Sequence, residues 1–274
     1  MTHIEFIGAP GAGKSTVRSE LTSRNEWLYG ADEREAIRRR FQVTADPKFR
    51  LLYRLLPDGV RSVIEDACLR HRYLRSDFLD FVEGNPGFLR AVADVADPAE
   101  RTYWLFSLCR YAAERYQMGV STVGSEETLC LDENFHHYGA HVLFETSLAP
   151  DPADLAAYFE MAPTPEVLVH VDAPSDRCLT RQRDRGDDGS ALPQAEHAVD
   201  EFSSPLEAQE KYRRACSLVA EYLGRVTSVV RVENTGTVEE CTAEVEAELA
   251  RIDPGRGPPS SSGERTRPSG RSTG

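Results

Sequence analysis

The chain has 274 residues, 40% hydrophobic and 28% charged, ordinary values for a globular protein with length enough for one large α/β domain. A net charge of −13 disfavours a nonspecific nucleic-acid binder. No stretch of eighteen uninterrupted apolar residues occurs, so no membrane span is expected.

The first residues enter a strand at once, His3–Ile7, which leaves no room for a signal peptide and sets the expectation of a cytoplasmic protein. Directly behind it stands "GAPGAGKST". Gly8, Gly13, Lys14 and Ser15 fit G-x-x-x-x-G-K-S/T, the spacing of a phosphate-cradling loop. Glycine permits positive φ, so successive N–H groups can point into one concavity, and the helix that follows adds the positive end of its dipole. Gly8, Gly11, Ala12, Gly13, Lys14, Ser15 and Thr16 are therefore the expected phosphate contacts. Lys14 would reach the β- and γ-phosphates, and the Ser15 hydroxyl would ligate magnesium. Lysine is scarce here (Lys14, Lys48 and Lys211, against 29 arginines), which makes Lys14 stand out.

A weaker strand, Trp27–Gly30, precedes "LYGADERE", where Asp32 and Glu33 are minor catalytic candidates. From about 34 to 125 the pattern is helical, broken at Pro57-Asp58-Gly59 and Asn85-Pro86-Gly87. Within it Trp104, Leu105, Leu108, Tyr111, Ala112 and Tyr116 form a helical stripe that reads as core packing. The block is expected to be a helical insertion beside the loop, supplying the pocket for a second substrate.

Strand Thr128–Leu131 ends in Asp132-Glu133-Asn134. An acidic residue at the carboxyl end of a strand beside the loop strand is placed to hold magnesium. Asp132 takes that role, and Glu133 would orient or deprotonate the attacking hydroxyl or water. His136, His137 and His141 follow. The last two share a helix face, but no H-E-x-x-H pattern and no third ligand accompany them, so they read as surface or substrate-side residues rather than a metal site.

Strand Glu166–Val171 leads to "VDAPSDRCLTRQRDRGDDGS". Arg177, Arg181 and Arg185 recur at four-residue spacing on one helical face. Like charges so placed repel, so an anion is expected to compensate them, as a transferring phosphoryl group would. Residues 175–192 are the expected lid. The last strand, Ser228–Val232, runs through the turn Asn234-Thr235-Gly236, a candidate nucleotide contact, into a helix. From 253 onward the chain is Pro-, Gly-, Ser- and Arg-rich without apolar period and is expected to be a disordered tail. The six cysteines (68, 109, 130, 178, 216, 241) form no C-x-x-C pair and read as buried thiols. Strands alternating with helices predict a doubly wound parallel sheet of about five strands over residues 1–252.

Three segments, "IEFIGAPGAGKST", "PEVLVHVDAPSDRCLTRQRDRG" and "VVRVENTGTVEECTAEV", resemble the nucleoside and nucleotide kinase branch of P-loop proteins, thymidylate-kinase-like and deoxynucleoside-kinase-like chains in particular. The resemblance covers about half the chain. It implies a doubly wound sheet, ATP with magnesium, and γ-phosphoryl transfer to a small acceptor. Two departures leave thymidylate specificity unsupported: Asp132-Glu133-Asn134 replaces Asp-Arg-Tyr/His, and Arg-x-Pro-Gly is absent after the second strand. The acceptor class stays open among nucleotides, nucleosides, sugars and other metabolites, and a homodimer stays open as the assembly. Two other readings compete: an ATPase or nucleotide switch acting through Asp132-Glu133, and a binding module with a degenerate site.

Overall fold

The computed structural model describes residues 3–30, 33–44, 47–71, 73–96, 102–146, 151–185 and 204–253. Five parallel strands form one sheet: β1 (His3–Ile7), β2 (Leu28–Tyr29), β3 (Thr128–Asp132), β4 (Val167–Asp172) and β5 (Ser228–Glu233), in spatial order β2-β3-β1-β4-β5. The helices are α1 (Lys14–Arg24), α2 (Glu33–Thr44), α3 (Pro47–Leu55), α4 (Asp58–His71), α5 (Tyr73–Gly84), α6 (Phe88–Ala96), α7 (Thr102–Thr122), α8 (Phe135–Thr146), α9 (Ala156–Met161), α10 (Ser175–Asp184), α11 (Pro205–Leu223) and α12 (Val238–Ile252). This is a doubly wound α/β fold of the P-loop type. No helix among the described residues is long and apolar enough to cross a membrane.

The two faces of the sheet follow from side-chain alternation. Ile4 and Phe6 of β1, Cys130 of β3 and Val167, Val169 and Val171 of β4 pack with Val17 and Leu21 of α1 and with Val245 and Leu249 of α12. Ile7 and Leu168 point the other way, into a larger core of Phe81, Phe88, Leu105, Phe135, Phe144 and Tyr212. Glu5, between Ile4 and Phe6, is a carboxylate on a central strand and is fully buried.

Register decides where chemistry can occur. Phe6 lies opposite Asp132 on one side and Val169 on the other, and Asp172 lies opposite Glu233. The carboxyl ends of β1, β3, β4 and β5 therefore reach one rim, where parallel α/β sheets hold ligands.

The insertion is helical as expected, with both breaks where Pro-Gly segments put them: α3 ends before Pro57, and α5 before Asn85. Its stripes are less buried than the periodicity suggests. Among the described side chains of α3 only Tyr53 is buried; Leu51, Leu52 and Leu55 are 62%, 56% and 73% exposed. In the α7 stripe Leu105 and Ala112 are core residues, whereas Tyr111 is exposed, and the Trp104 side chain lies outside the described residues. A short helix has room for one anchoring contact, and on α3 Tyr53 supplies it by packing on Ile37 and donating its hydroxyl proton to Glu65. Cys109, Cys130, Cys178, Cys216 and Cys241 are buried free thiols. Asp32, the side chains of Glu33 and Cys68, lid residues 186–192 and the tail beyond Asp253 lie outside the described residues.

Candidate active site

The loop between β1 and α1 is wound through two left-handed glycines, Gly11 at φ +80° and Gly13 at φ +96°. Gly13 is the N-cap of α1, and no side chain caps that helix. The N–H groups of its first turn are thus left for an anion. All three loop glycines are also needed for space. A Cβ would stand 2.2 Å from the Val171 carbonyl oxygen at Gly8, 2.4 Å from that of Cys178 at Gly11, and 2.3 Å from Asn234 Nδ2 at Gly13. The loop is seated against β4, α10 and the turn after β5 at once.

Side chains from those neighbours fasten the loop's outward-facing carbonyls. Asn234 Nδ2 donates to Ala12 O at 2.7 Å. Arg181 Nη1 donates to Gly11 O and Ala12 O at 3.4 and 3.3 Å, and its Nη2 donates to Asn234 O at 3.2 Å. Gln182 and Gln209 both donate to Pro10 O at 2.8 Å. Arg177 donates to Thr235 O, and Arg185 Nε to Arg181 O at 3.2 Å. The arginine row expected to need an anion is thus compensated in good part by carbonyl oxygens. Asn234 is buried against the loop, where its amide holds the backbone.

Lys14 is buried, and its Nζ lies 3.4 Å from Glu133 Oε1. Glu133 is half-exposed and stands at φ +50°, the sole left-handed non-glycine among the described residues. For a residue with a Cβ that conformation costs about 1 kcal/mol, and such outliers concentrate at working sites. Asp132, one residue earlier, is buried. Arg18 Nε and Arg115 Nη2 meet the same carboxylate oxygen, Oδ1, at 3.1 and 3.3 Å, and Arg115 Nη1 donates to its main-chain oxygen at 2.9 Å. Burial pushes the Asp132 carboxyl up. The two guanidiniums and a hydrogen bond from Ser15 outweigh it and hold the group below its usual range.

The turn passes into α8, whose first N–H groups are capped from a distance. Glu5 Oε1 accepts from His136 N at 2.7 Å and His137 N at 3.1 Å, and Oε2 pairs with His136 Nδ1 at 2.7 Å. A buried carboxylate at a helix N-terminus is stabilised by exactly the donors that terminus leaves open. His136 is therefore a core residue. His137 and His141 are buried too, but they line a cavity of about 340 Å³ with Lys14, Glu133, Gln182 and Tyr212. Pro10, Gly11, Gly13, Ser15, Thr16, Leu108, Tyr138 and Arg185 complete its wall. Of the lid arginines, Arg185 faces this space while Arg181 is spent on the loop.

The candidates read from sequence at the loop, at 132–133, at 177–185 and at 234 are thus gathered at one rim. Arg18, Arg115, Glu5 and Tyr212 escaped sequence reasoning. Arg18 alone carried a local signal, its position one helical turn after Lys14.

No protein-family model matches the chain, and no curated protein matches it. Among solved structures it is similar to deoxyadenosine kinase from M. mycoides with bound dCTP, at 11% identity and TM-score 0.46, over 91% of this chain and 100% of the other. It is similar also to that kinase with products dCMP and a flexible dCDP bound, at 11% identity and TM-score 0.44, over 92% of this chain and 100% of the other.

Proposed function

We propose that this chain is an ATP-dependent phosphotransferase that moves the γ-phosphoryl group to a small acceptor held in the 340 Å³ cavity. The observation that carries the reading is the meeting of Lys14 and Glu133, 3.4 Å apart, at the wall of a cavity flanked by a glycine loop with uncapped helix N–H groups. That part of the wall is cationic and donor-rich, with the Glu133 carboxylate in ion-pair contact with Lys14.

In this reading the amides from Gly8 through Thr16, with Lys14, hold the triphosphate. Ser15 and Asp132 offer the hard oxygen donors that suit magnesium. They are already hydrogen-bonded to each other. The ion would neutralise charge on the β- and γ-phosphoryl oxygens. Glu133 orients the acceptor hydroxyl and takes its proton. Arg185 closes over the transferring group, Arg181 braces the loop that binds it, and Arg177 and Asn234 secure the nucleotide side.

One observation favours a second reading. Glu133 is half-exposed, so a water molecule can reach the same carboxylate, as an ATPase or nucleotide switch requires. Labelled ATP offered with nucleosides, nucleoside monophosphates and sugars separates the two. The phosphotransferase reading predicts label on one acceptor and ATP consumption that depends on it. Consumption at the same rate without any acceptor would support the ATPase.

A further inference from the structure

The cavity's inner wall carries a hydrogen-bonded chain that the phosphate-handling groups do not use. The Tyr212 hydroxyl on α11 lies 3.3 Å from His137 Nε2 and 3.2 Å from His141 Nδ1. Beyond this hydrogen-bonded trio, His141 Nε2 lies 3.9 Å from Glu145 Oε1, too long for a hydrogen bond but within electrostatic reach of the carboxylate. His137, His141 and Tyr212 all line the cavity.

One phenolic proton cannot be donated to both rings, so the chain has a direction. A ring nitrogen facing a carboxylate oxygen is favoured as N–H, which leaves His141 Nδ1 bare to accept from Tyr212. The Tyr212 oxygen then accepts from His137 Nε2–H. Burial, with the charges of Lys14 and His141, holds the His137 imidazole far below its ordinary range, so it is neutral and its Nδ1 is a lone pair. That nitrogen is buried and has no hydrogen-bond partner among the described residues. Gln182, on the same cavity, repeats the pattern. Its Nε2 donates to Pro10 O at 2.8 Å, which fixes the amide's orientation and leaves Oε1 buried without a partner among the described residues. Buried acceptors are costly until a donor reaches them.

We propose that His137 Nδ1 accepts a hydrogen bond from an O–H or N–H group of the second substrate, its tautomer set by the chain through Tyr212 to His141 and Glu145. Gln182 Oε1 takes a second donor. The acceptor is therefore a molecule that presents hydroxyl or amino hydrogens to this wall, and one that presents only carbonyl or phosphoryl oxygens there is rejected. The inference rests on the phosphotransferase reading of the same cavity.

Long-range ¹H–¹⁵N spectra of the full chain labelled at histidine report the tautomer directly. His137 is expected to carry its proton on Nε2, and Tyr212→Phe, which removes one hydroxyl and little volume, is expected to abolish that preference. Transfer from labelled ATP is then measured with adenosine, cytidine, thymidine, their 5′-monophosphates, ribose and glucose. For the best acceptor, KM is expected to rise about tenfold in His137→Phe and about threefold in Tyr212→Phe, with KM for ATP moving less than about twofold. A proton on His137 Nδ1, or an acceptor KM unchanged in both variants, overturns the inference and leaves the phosphotransferase reading standing. No transfer to any member of the panel overturns the phosphotransferase reading instead, while the tautomer spectrum still decides the state of His137.

Discussion

The glycine loop and the helical insertion are held by different means. Around the loop, Arg181, Gln182, Gln209 and Asn234 all donate to backbone carbonyls of residues 10–12. In the insertion, charged side chains meet other charged side chains: Arg38 with Glu65 at 2.7 Å, Arg40 with Asp77 at 2.9 Å, and Arg39 with Glu127 at 2.5 Å while it lies 4.0 Å over the Tyr29 ring. A carbonyl of a tightly wound loop has one position, whereas a paired carboxylate keeps its own rotamers and an entropy cost to hold them. The difference teaches where precision is required. On the proposed reading a phosphate chain of fixed geometry would be met by fixed backbone, while the helices beside it are held by side-chain pairs.

Four substitutions test that contrast. The largest effect is expected for Lys14→Ala, which removes the cation at the cavity wall. Phosphoryl transfer should fall by about a thousandfold or more, and calorimetric ATP affinity should fall with it. Next, Glu133→Gly removes the carboxylate and releases the left-handed strain together. It should lower kcat about a hundredfold while raising the unfolding free energy by up to about 1 kcal/mol, as read from urea titration. A protein that lost activity and stability together would show that the φ of +50° at Glu133 is not a strained feature. The smallest effect belongs to the insertion's surface. Leu55→Ser on α3 should change stability by less than about 0.5 kcal/mol, whereas Phe135→Ala, in the shared core, should cost about 3–5 kcal/mol.

The parts legible in the sequence are those encoded by near neighbours. The strands could be read because β-rich runs are short and continuous; three end one residue later than expected, at Asp132, Asp172 and Glu233, β4 also starts one later at Val167, and Trp27–Gly30 narrows to Leu28–Tyr29. The loop could be read because its glycines and Lys14 lie within one turn. The partners of Asp132 could not. Arg18 and Arg115 come from α1 and α7, and nothing local says that two guanidiniums converge on one carboxylate oxygen. The same holds for Glu5, whose position on an apolar strand reads as an anomaly until α8 is seen to start on top of it. The arginine row was legible as a charge pattern, but its neutralisation by carbonyls depends on three segments far apart in sequence. Left-handed backbone at Glu133 has no sequence signature at all.

The bond from Asn234 to Ala12 joins residues 222 positions apart. A nascent polypeptide emerging from the ribosome therefore carries its glycine turn in an unfinished state through almost the whole of synthesis. The bracing of that turn is complete only when the last strand and the segment after it have arrived, so an incompletely translated product leaves its intact beginning without this clasp.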